Sequence, residues 1–323
     1  MDGKLQVMSF IFEFFQYLTF FHPLTGELKE LPRSYWIFRR LLMKAIELYN
    51  HLERDFIFKE LQDDWSRYMG EVEDYLCLNF KERSMGLVCD FSKEINKVYT
   101  AVFPTEEIMQ KIVDEGTSNV MLFVHHPSIW DSRRAPNSFY QMEKALLEKF
   151  KENRISIYNL HVPLDNFSQY STSVTLSDAL GIEIEKPFAK YHGALCGIIG
   201  KAKYKNMEEL HNKFSEVLGH STSLYLYGNT NIKDGRIAIV AGGGNNEDTI
   251  SEMIENKVNV LITGITANNN SDVHKIEEKN SINVLGGTHY STEKFACQKM
   301  CSYFEKLGLA STFIDGEPIY EDM

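Results

Sequence analysis

The chain has 323 residues, of which 43% are apolar and 24% charged, values typical of a globular protein with a sizeable core. Acidic residues outnumber basic residues by 45 to 34, and the formal charge of −11 argues against nonspecific nucleic-acid binding, which needs a basic surface. We therefore expect no nucleic-acid partner. The five cysteines form no CxxC pair and follow no secretory signal, which predicts reduced thiols in a cytoplasmic protein.

Residues 1–65 predict a helical N-terminal extension. The segment Val7 to Phe21 is strongly apolar, but it contains Glu13 and Gln16 and is shorter than the roughly 20 residues of a membrane-spanning helix. We therefore expect no membrane partner. From Phe38 to Leu52, apolar residues recur at helical spacing and predict an apolar stripe. The rest of the chain or a second subunit is expected to cover this stripe, and a membrane-surface or regulatory role is the less favoured alternative.

Residues 66–323 predict an α/β core, because strands and helices alternate from about residue 85 and indicate βαβ units with a largely parallel sheet. A middle lobe is expected at about residues 187–270. The predicted helices are Glu106 to Asp114, Ser138 to Lys151, Met207 to Leu218, Asn246 to Glu255 and His289 to about Leu307. The main predicted strands are Val120 to Val124, Ile155 to Leu160, Arg236 to Val240, Val258 to Thr263 and Ile282 to Leu285.

Three clusters of metal-binding residue types follow apolar strands in this core. They are His125 and His126 after VMLFV, His161 and Asp165 after ISIYNL, and His289 and Glu293 after NVLGG. The four-residue spacing of the last pair places both side chains on one helix face, where they can hold one ion. Because ligands gather beyond the carboxyl ends of strands in α/β sheets, we interpret the three clusters as one site.

Three further features each allow two interpretations. The turn AGGGNN, Ala241 to Asn246, could direct backbone N–H groups to an anion, and a plain strand-to-helix turn explains it equally well. The pair Arg133 and Arg134 could meet a phosphate, although a solvated surface is favoured. The pair Cys297 and Cys301 continues the helix face of Glu293, so a thiolate near the site is an alternative to small buried hydrophobes.

Taken in order, these residues resemble the NGG-interacting-factor-like family, also called GTP cyclohydrolase I type 2 homologs. The similar motifs over about residues 85 to 315 are MGLVC, VHHP, HxPLD at His161 to Asp165, GxxG at Gly197 to Gly200, RIAIVAGGG, VLITG and GGTHYSTE. The resemblance implies two linked α/β lobes, a pair of metal ions in the cleft between them, and ring-like homo-oligomers, commonly hexamers. It implies the ligands His125, His126, Asp165, His289 and Glu293, with Asp165 and Glu293 bridging the ions and with His161 a possible ligand or a neighbour of one.

The chemistry expected from this resemblance is metal-dependent hydrolysis. Two divalent ions about 3.5 to 4 Å apart can hold a bridging hydroxide near neutral pH. Mixed nitrogen and oxygen ligands suit zinc, iron, manganese or nickel. The substrate is unknown, and a nucleotide or another phosphate-bearing molecule is a candidate. The alternative is a metal-binding scaffold or metal-handling protein whose ions support assembly of the oligomer without turnover.

Overall fold

The computed structural model describes residues 43–267 and 271–323, and these residues build two large β-sheets, with helices packed on both faces of each, and two short two-stranded sheets. Val7 to Phe21 lies outside the described residues, as do Phe38, Leu41 and Leu42 of the predicted stripe. Among the described residues, no helix has both the length and the apolar character needed to cross a bilayer.

The strands, in chain order, are β1 (Met43–Lys44), β2 (Gly86–Cys89), β3 (Glu94–Ile95), β4 (Lys97–Ala101), β5 (Val120–Val124), β6 (Ile129–Trp130), β7 (Phe139–Tyr140), β8 (Ile155–Asn159), β9 (Glu183–Tyr191), β10 (Ala194–Lys201), β11 (Ser223–Tyr225), β12 (Arg236–Val240), β13 (Val260–Thr263), β14 (Asn283–Gly286) and β15 (Ala310–Phe313). The helices are α1 (Ala45–Phe56), α2 (Leu78–Arg83), α3 (Glu106–Asp114), α4 (Lys144–Glu152), α5 (Val162–Asp165), α6 (Thr172–Leu180), α7 (Met207–Leu218), α8 (Glu247–Glu255), α9 (Ser271–Lys279) and α10 (His289–Lys306).

The first sheet has the strand order β15–β4–β5–β8–β2, and its neighbouring strands are parallel except for β8 and β2. Its central strands are buried on both faces. Side chains alternate between faces along a strand, so Leu122 packs towards α3 and α4, whereas Met121 and Phe123 pack towards α1 and α10. The helix α1 therefore covers one face of this sheet.

The second sheet has the order β11–β14–β13–β12–β10–β9. The strands β12, β13 and β14 run parallel, while β9, β10 and β11 join them in antiparallel pairs. One face packs on α6 and α7, and the other packs on α8 and α9. Both sheets contain parallel and antiparallel pairs, which confirms the α/β fold class with two lobes.

The helices α6 and α10 lie between the two sheets. Val174, Leu176 and Leu180 of α6 belong to the core of the second sheet. On α10, Ala296 and Met300 belong to the core of the first sheet, while its neighbour Phe295 packs on the second. The helix that begins at His289 is therefore held by both sheets, which fixes its first turn relative to the strand ends of the first sheet.

Side-chain caps explain where several helices begin. The side chains of Thr105, Asn206 and Thr288 accept hydrogen bonds from backbone N–H groups in the first turns of α3, α7 and α10. Such caps satisfy donors that the helix itself leaves unpaired. At the other end, Gly181 and Gly219 adopt left-handed conformations that stop α6 and α7.

The sequence prediction of a helix from Ser138 to Lys151 is wrong at its start. The helix α4 begins at Lys144, and β7 before it pairs with β6 in a short hairpin. Phe139 lies against Trp65 and Trp130 rather than on a helix face, so tertiary packing overrides local helical propensity there. The domain boundaries at residue 65 and at about residues 187–270 stay predictions.

Candidate metal centre

The strands β5 and β8 bring two of the three sequence clusters to one edge of the first sheet. They pair in parallel with Val124 opposite Asn159, so their carboxyl ends lie side by side. His125 and His126 directly follow β5, and their N–H groups donate to Ala101 and Val102. His161 follows β8 and precedes α5, whose last residue is Asp165. The first turn of α10 adds His289 and Glu293, so the structure brings all six candidate residues together.

Glu293 lies at the middle of the cluster. Its Oε2 is 3.0 Å from His126 Nε2, and its Oε1 is 3.2 Å from His289 Nε2 and 3.5 Å from His125 Nε2. Asp165 Oδ1 is 3.5 Å from the same nitrogen of His125. The groups that could hold an ion are His125 with Asp165 and Glu293, His126 with His289 and Glu293, and His125 with His126 and His161.

The cluster is buried, and its donor atoms point inward. All six side chains belong to residues that are at most 9% exposed, with His161 and Asp165 the most accessible. Within the described residues, His125 Nε2 has no hydrogen-bond partner although it faces two carboxylates. A buried polar atom without a partner is costly, and a cation between the nitrogen and the carboxylates would satisfy it. The residues therefore fit a metal centre.

Two hydrogen bonds orient the ligand atoms at this edge. His125 Nδ1 lies 3.0 Å from the carbonyl oxygen of Leu160, which can only accept, so Nδ1 carries the proton and Nε2 faces the cluster. The hydroxyl of Thr172 donates to Asp165 Oδ1 over 2.7 Å. Partners of this kind fix the tautomer and direction of metal ligands. The role of Thr172 carries no sequence signal that distinguishes it from other buried threonines.

The charges in the cluster perturb one another strongly. Burial opposes protonation of His125, but Asp165 and Glu293 outweigh it and raise the pKa of His125 to about 9. Burial lowers the pKa of His126 well below its usual value. Burial also raises the pKa of Asp165, whereas the surrounding histidines overcome burial and hold the pKa of Glu293 well below its ordinary value. The cluster thus holds a negative carboxylate and a histidine-bound proton that a cation can replace.

Asp63 and Trp65 form a wall of the cluster, which the sequence patterns did not predict. Asp63 Oδ2 is 3.0 Å from His161 Nδ1, and Trp65 Nε1 is 2.8 Å from the same nitrogen. One nitrogen cannot both donate to Asp63 and accept from Trp65. We place the proton on Nδ1, because a carboxylate can only accept and a hydrogen bond to a charged acceptor is stronger than one from a neutral indole. Burial lowers the pKa of His161, but Asp63 outweighs burial and raises it. His161 Nε2 then faces Asp165 at 3.8 Å.

The glycine turn predicted as a possible anion site approaches the cluster from the second sheet. Gly242 has a φ of +69°, and a Cβ atom at this position would overlap the Oε1 atom of Glu293. Its N–H donates to the hydroxyl of Thr292, and the N–H of Gly244 donates to the hydroxyl of Thr263. These two N–H groups are occupied within the protein, so the turn's observed role is close packing against Glu293.

The contacts of the arginine pair and of the two cysteines of α10 bear on their alternative interpretations. Arg133 pairs with Asp131 over 2.7 Å, and Arg134 stacks on the ring of Tyr140, so both are engaged away from the cluster. The thiol of Cys297 donates to the carbonyl oxygen of Ala101, and burial raises the pKa of Cys297 well above its ordinary value. Cys297 is therefore a neutral buried thiol rather than a thiolate ligand. Cys301 Sγ lies 3.3 Å from the hydroxyl of Thr100.

The fold and the cluster together define a class: α/β proteins with a candidate metal centre, built from buried histidines and carboxylates, at the ends of their strands. More specifically, the chain belongs to the Duf34/NIF3 (NGG1p interacting factor 3) family, whose model matches residues 73–318. This match confirms the family inferred from the motifs.

Curated relatives and a solved structure agree with this assignment. The GTP cyclohydrolase 1 type 2 homolog of Borreliella burgdorferi is 28% identical over 223 residues, which cover 68% of this chain and 82% of the relative. The protein of the same name from Pyrococcus horikoshii is 28% identical over 237 residues, which cover 71% and 88%. The structure of protein ybgI, described as of unknown function, has a TM-score of 0.66 at 20% identity and covers 86% of this chain and 100% of its own. The structural likeness supports the fold.

Proposed function

We propose that this protein binds two divalent metal ions in the cluster and is a metal-dependent hydrolase. The observation that carries the proposal is that two sets of possible ligands, each made of histidines and carboxylates, share Glu293. In addition, His125 Nε2 points into the cluster without a hydrogen-bond partner among the described residues. Two ions held in this way supply Lewis acidity and lower the pKa of water. Zinc, iron, manganese and nickel all suit the mixed nitrogen and oxygen donors.

The side chains have distinct expected roles in this proposal. Glu293 belongs to both carboxylate-containing groups and is the expected bridge between the ions, since its two oxygens face different histidines. Asp165 occurs in one such group, with His125 and Glu293, and its bridging role stays a prediction from the family resemblance. His161 is held at Nδ1 and presents Nε2, either as a further ligand or as a group that moves a proton at the edge of the site.

We expect a substrate to approach the cluster from its least buried side, at His161 and Asp165, which are 8% and 9% exposed. Aromatic rings cover two of the histidines: Phe103 stacks on His126, and Trp130 lies edge-on to His289. Such rings exclude water, which strengthens electrostatic interactions within the site. The shared name of the curated relatives keeps a nucleotide or another phosphate-bearing substrate among the candidates.

The alternative function is a metal-binding scaffold or metal-handling protein without turnover. The observation in its favour is the burial of all six cluster residues, because structural metal sites are closed whereas catalytic sites keep an open ligand position. In either case, we propose from the family resemblance that the protein is a homo-oligomer, with a hexamer as the expected size, which light scattering measures.

Metal analysis followed by hydrolysis assays tests the proposal. Protein purified without chelator and then saturated with zinc or manganese should contain two ions per chain. A panel of phosphate esters, nucleotides and amides should then reveal turnover that is lost on stripping and restored on reloading. The matched control is Glu305→Gln on the exposed face of α10, which should behave like the native protein, whereas Glu293→Gln should lose activity. One ion or none at saturation contradicts a dinuclear centre, and two ions without turnover on any substrate favours the scaffold.

A further inference from the structure

Asp322 occupies a buried position beside the cluster although it lies far from the cluster residues of β5 and β8 in sequence. It ends the short turn Tyr320–Asp322 and is 1% exposed. Its Oδ1 accepts a hydrogen bond of 2.8 Å from the indole Nε1 of Trp130, and its Oδ2 accepts one of 2.9 Å from the backbone N–H of His289. Both carboxylate oxygens therefore have a donor that belongs to another part of the chain.

The backbone of Asp322 makes a third connection. Its carbonyl oxygen accepts hydrogen bonds from the N–H groups of Thr266 at 2.8 Å and Ala267 at 2.9 Å. These residues follow β13 of the second sheet, whereas Trp130 belongs to β6, which follows the histidine pair of the first sheet. A single residue thus joins the β6–β7 hairpin and the segment after β13 to the first turn of α10.

The contacts of His289 show what this junction controls. Its backbone N–H is held by Asp322, and its ring lies edge-on to Trp130 at 5.1 Å, to Phe103 at 5.3 Å and to His126 at 4.8 Å. Asp322 therefore holds the backbone of His289 directly. It also holds the indole of Trp130, which packs against the imidazole ring of His289. The carboxylate also lies where a helix begins, and negative charge is favoured there.

From this junction we infer that Asp322 is a positioning residue that holds His289 in place for the ion shared by His126, His289 and Glu293. The inference rests on the proposed dinuclear function. Among the described residues, the side chain of Asp322 hydrogen-bonds to Trp130 and His289, and neither belongs to the other group, formed by His125, Asp165 and Glu293. Loss of the carboxylate should therefore weaken one ion and spare the other.

The test variant is Asp322→Asn, which preserves the size of the side chain. Its amide nitrogen cannot accept, so one of the two donors, Trp130 Nε1–H or His289 N–H, loses its partner. Changes to groups that orient metal ligands typically reduce affinity by about 10- to 100-fold. The control is Glu321→Gln, which removes the neighbouring exposed carboxylate. Zinc titration against a competing chelator should show two tight sites in native protein and in Glu321→Gln, and one tight and one weakened site in Asp322→Asn.

Hydrogen exchange on the metal-free proteins provides a readout that does not depend on metal. Asp322→Asn should increase exchange in the first turn of α10 while the strands of the first sheet stay protected, and Glu321→Gln should leave both unchanged. Two tight sites with native exchange in Asp322→Asn would overturn the inference and leave the proposed function standing. If native protein binds fewer than two ions, the proposed function fails, and the exchange at α10 alone decides the positioning role.

Discussion

At the scale of single residues, the two carboxylates and four histidines of the cluster are not equivalent. Glu293 takes part in both carboxylate-containing groups, whereas His161 appears only with His125 and His126 and lies at the more exposed edge. A residue shared by two ions should matter more to binding than one at the margin. A measurement of metal content in variants of the two residues should therefore distinguish a bridging residue from a peripheral one.

Glu293→Ala should lower metal content more than His161→Ala. The expected result is near-complete loss of bound metal for Glu293→Ala, and a loss of about 10- to 100-fold in affinity, or less, for His161→Ala. Metal analysis after dialysis against a fixed zinc concentration measures both, with Glu305→Ala on the same helix as control. Equal metal content in the two cluster variants would contradict a central role for Glu293.

The contact between Asp63 and His161 gives a second prediction. Asp63→Asn removes the negative charge that favours a proton on His161 Nδ1, so Trp65 Nε1–H can then donate to that nitrogen and shift the proton to Nε2. An Nε2 that carries a proton cannot bind metal or accept a proton. We expect lower activity or weaker metal binding in Asp63→Asn, and nitrogen NMR of the imidazole reports the tautomer.

The neighbouring residue supplies the control for this substitution. Asp64 pairs with Arg67 on the surface, so Asp64→Asn should leave both the tautomer and metal binding unchanged. If Asp63→Asn keeps the native imidazole spectrum and native metal affinity, the wall formed by residues 63–65 does not orient His161.

At the scale of elements, the turn at Gly242 gives the sharpest contrast. Gly242→Ala places a methyl group against Oε1 of Glu293 in a backbone conformation with positive φ, so it should displace the carboxylate. The adjacent Gly243→Ala meets only the end of Ile265 at 4.0 Å and has room. Metal analysis should find the loss in Gly242→Ala alone, with both proteins folded by circular dichroism. Native metal content in Gly242→Ala would show that the backbone of the turn moves to accommodate the methyl group and that the carboxylate of Glu293 keeps its position.

Elements with a regular apolar face or an unbroken apolar run were predictable from the sequence, and a buried helix with neither pattern was not. The helices Glu106–Asp114 and Met207–Leu218 and the strand Arg236–Val240 have the predicted bounds, because one face or both faces are regularly apolar. The helix Thr172–Leu180 was missed. It lies between the sheets with small polar residues buried beside apolar ones, so its sequence shows no amphipathic stripe.

The candidate site was predictable to a similar extent. The strand-end rule and the motifs placed six residues in one cluster, since each has a chemically distinctive side chain. Asp63, Trp65 and Asp322 were missed because each acts through a contact with a residue about 100 or more positions away in the sequence. An isolated Asp or Trp in a sequence does not indicate such a contact. Whether the six residues bind metal stays a prediction.

At the scale of the whole molecule, the two proposed ions are expected to contribute to the stability of the fold. Ligands that bind only the folded state stabilise it, by about 2.7 kcal/mol per site at a free concentration 100 times the dissociation constant. A chelator should therefore lower the unfolding temperature of the metal-loaded protein. Differential scanning calorimetry with and without chelator measures this change, and Glu293→Ala, expected to hold little metal, should show almost none. An unchanged unfolding temperature in native protein would argue against tight binding.

The strand order of the first sheet has a consequence for how the chain acquires its structure during synthesis. The strands β2 to β8 are made first, the second sheet follows at β9 to β14, and only then does β15 return to pair with β4. The histidines after β5 consequently emerge from the ribosome well before Glu293. The strands of the second sheet lie between them in the sequence and are synthesised in the interval. Long-range pairing of this kind is slow and leaves early strands exposed. We therefore expect the cluster to reach a geometry that can bind metal only late in folding, after α10 has docked between the sheets.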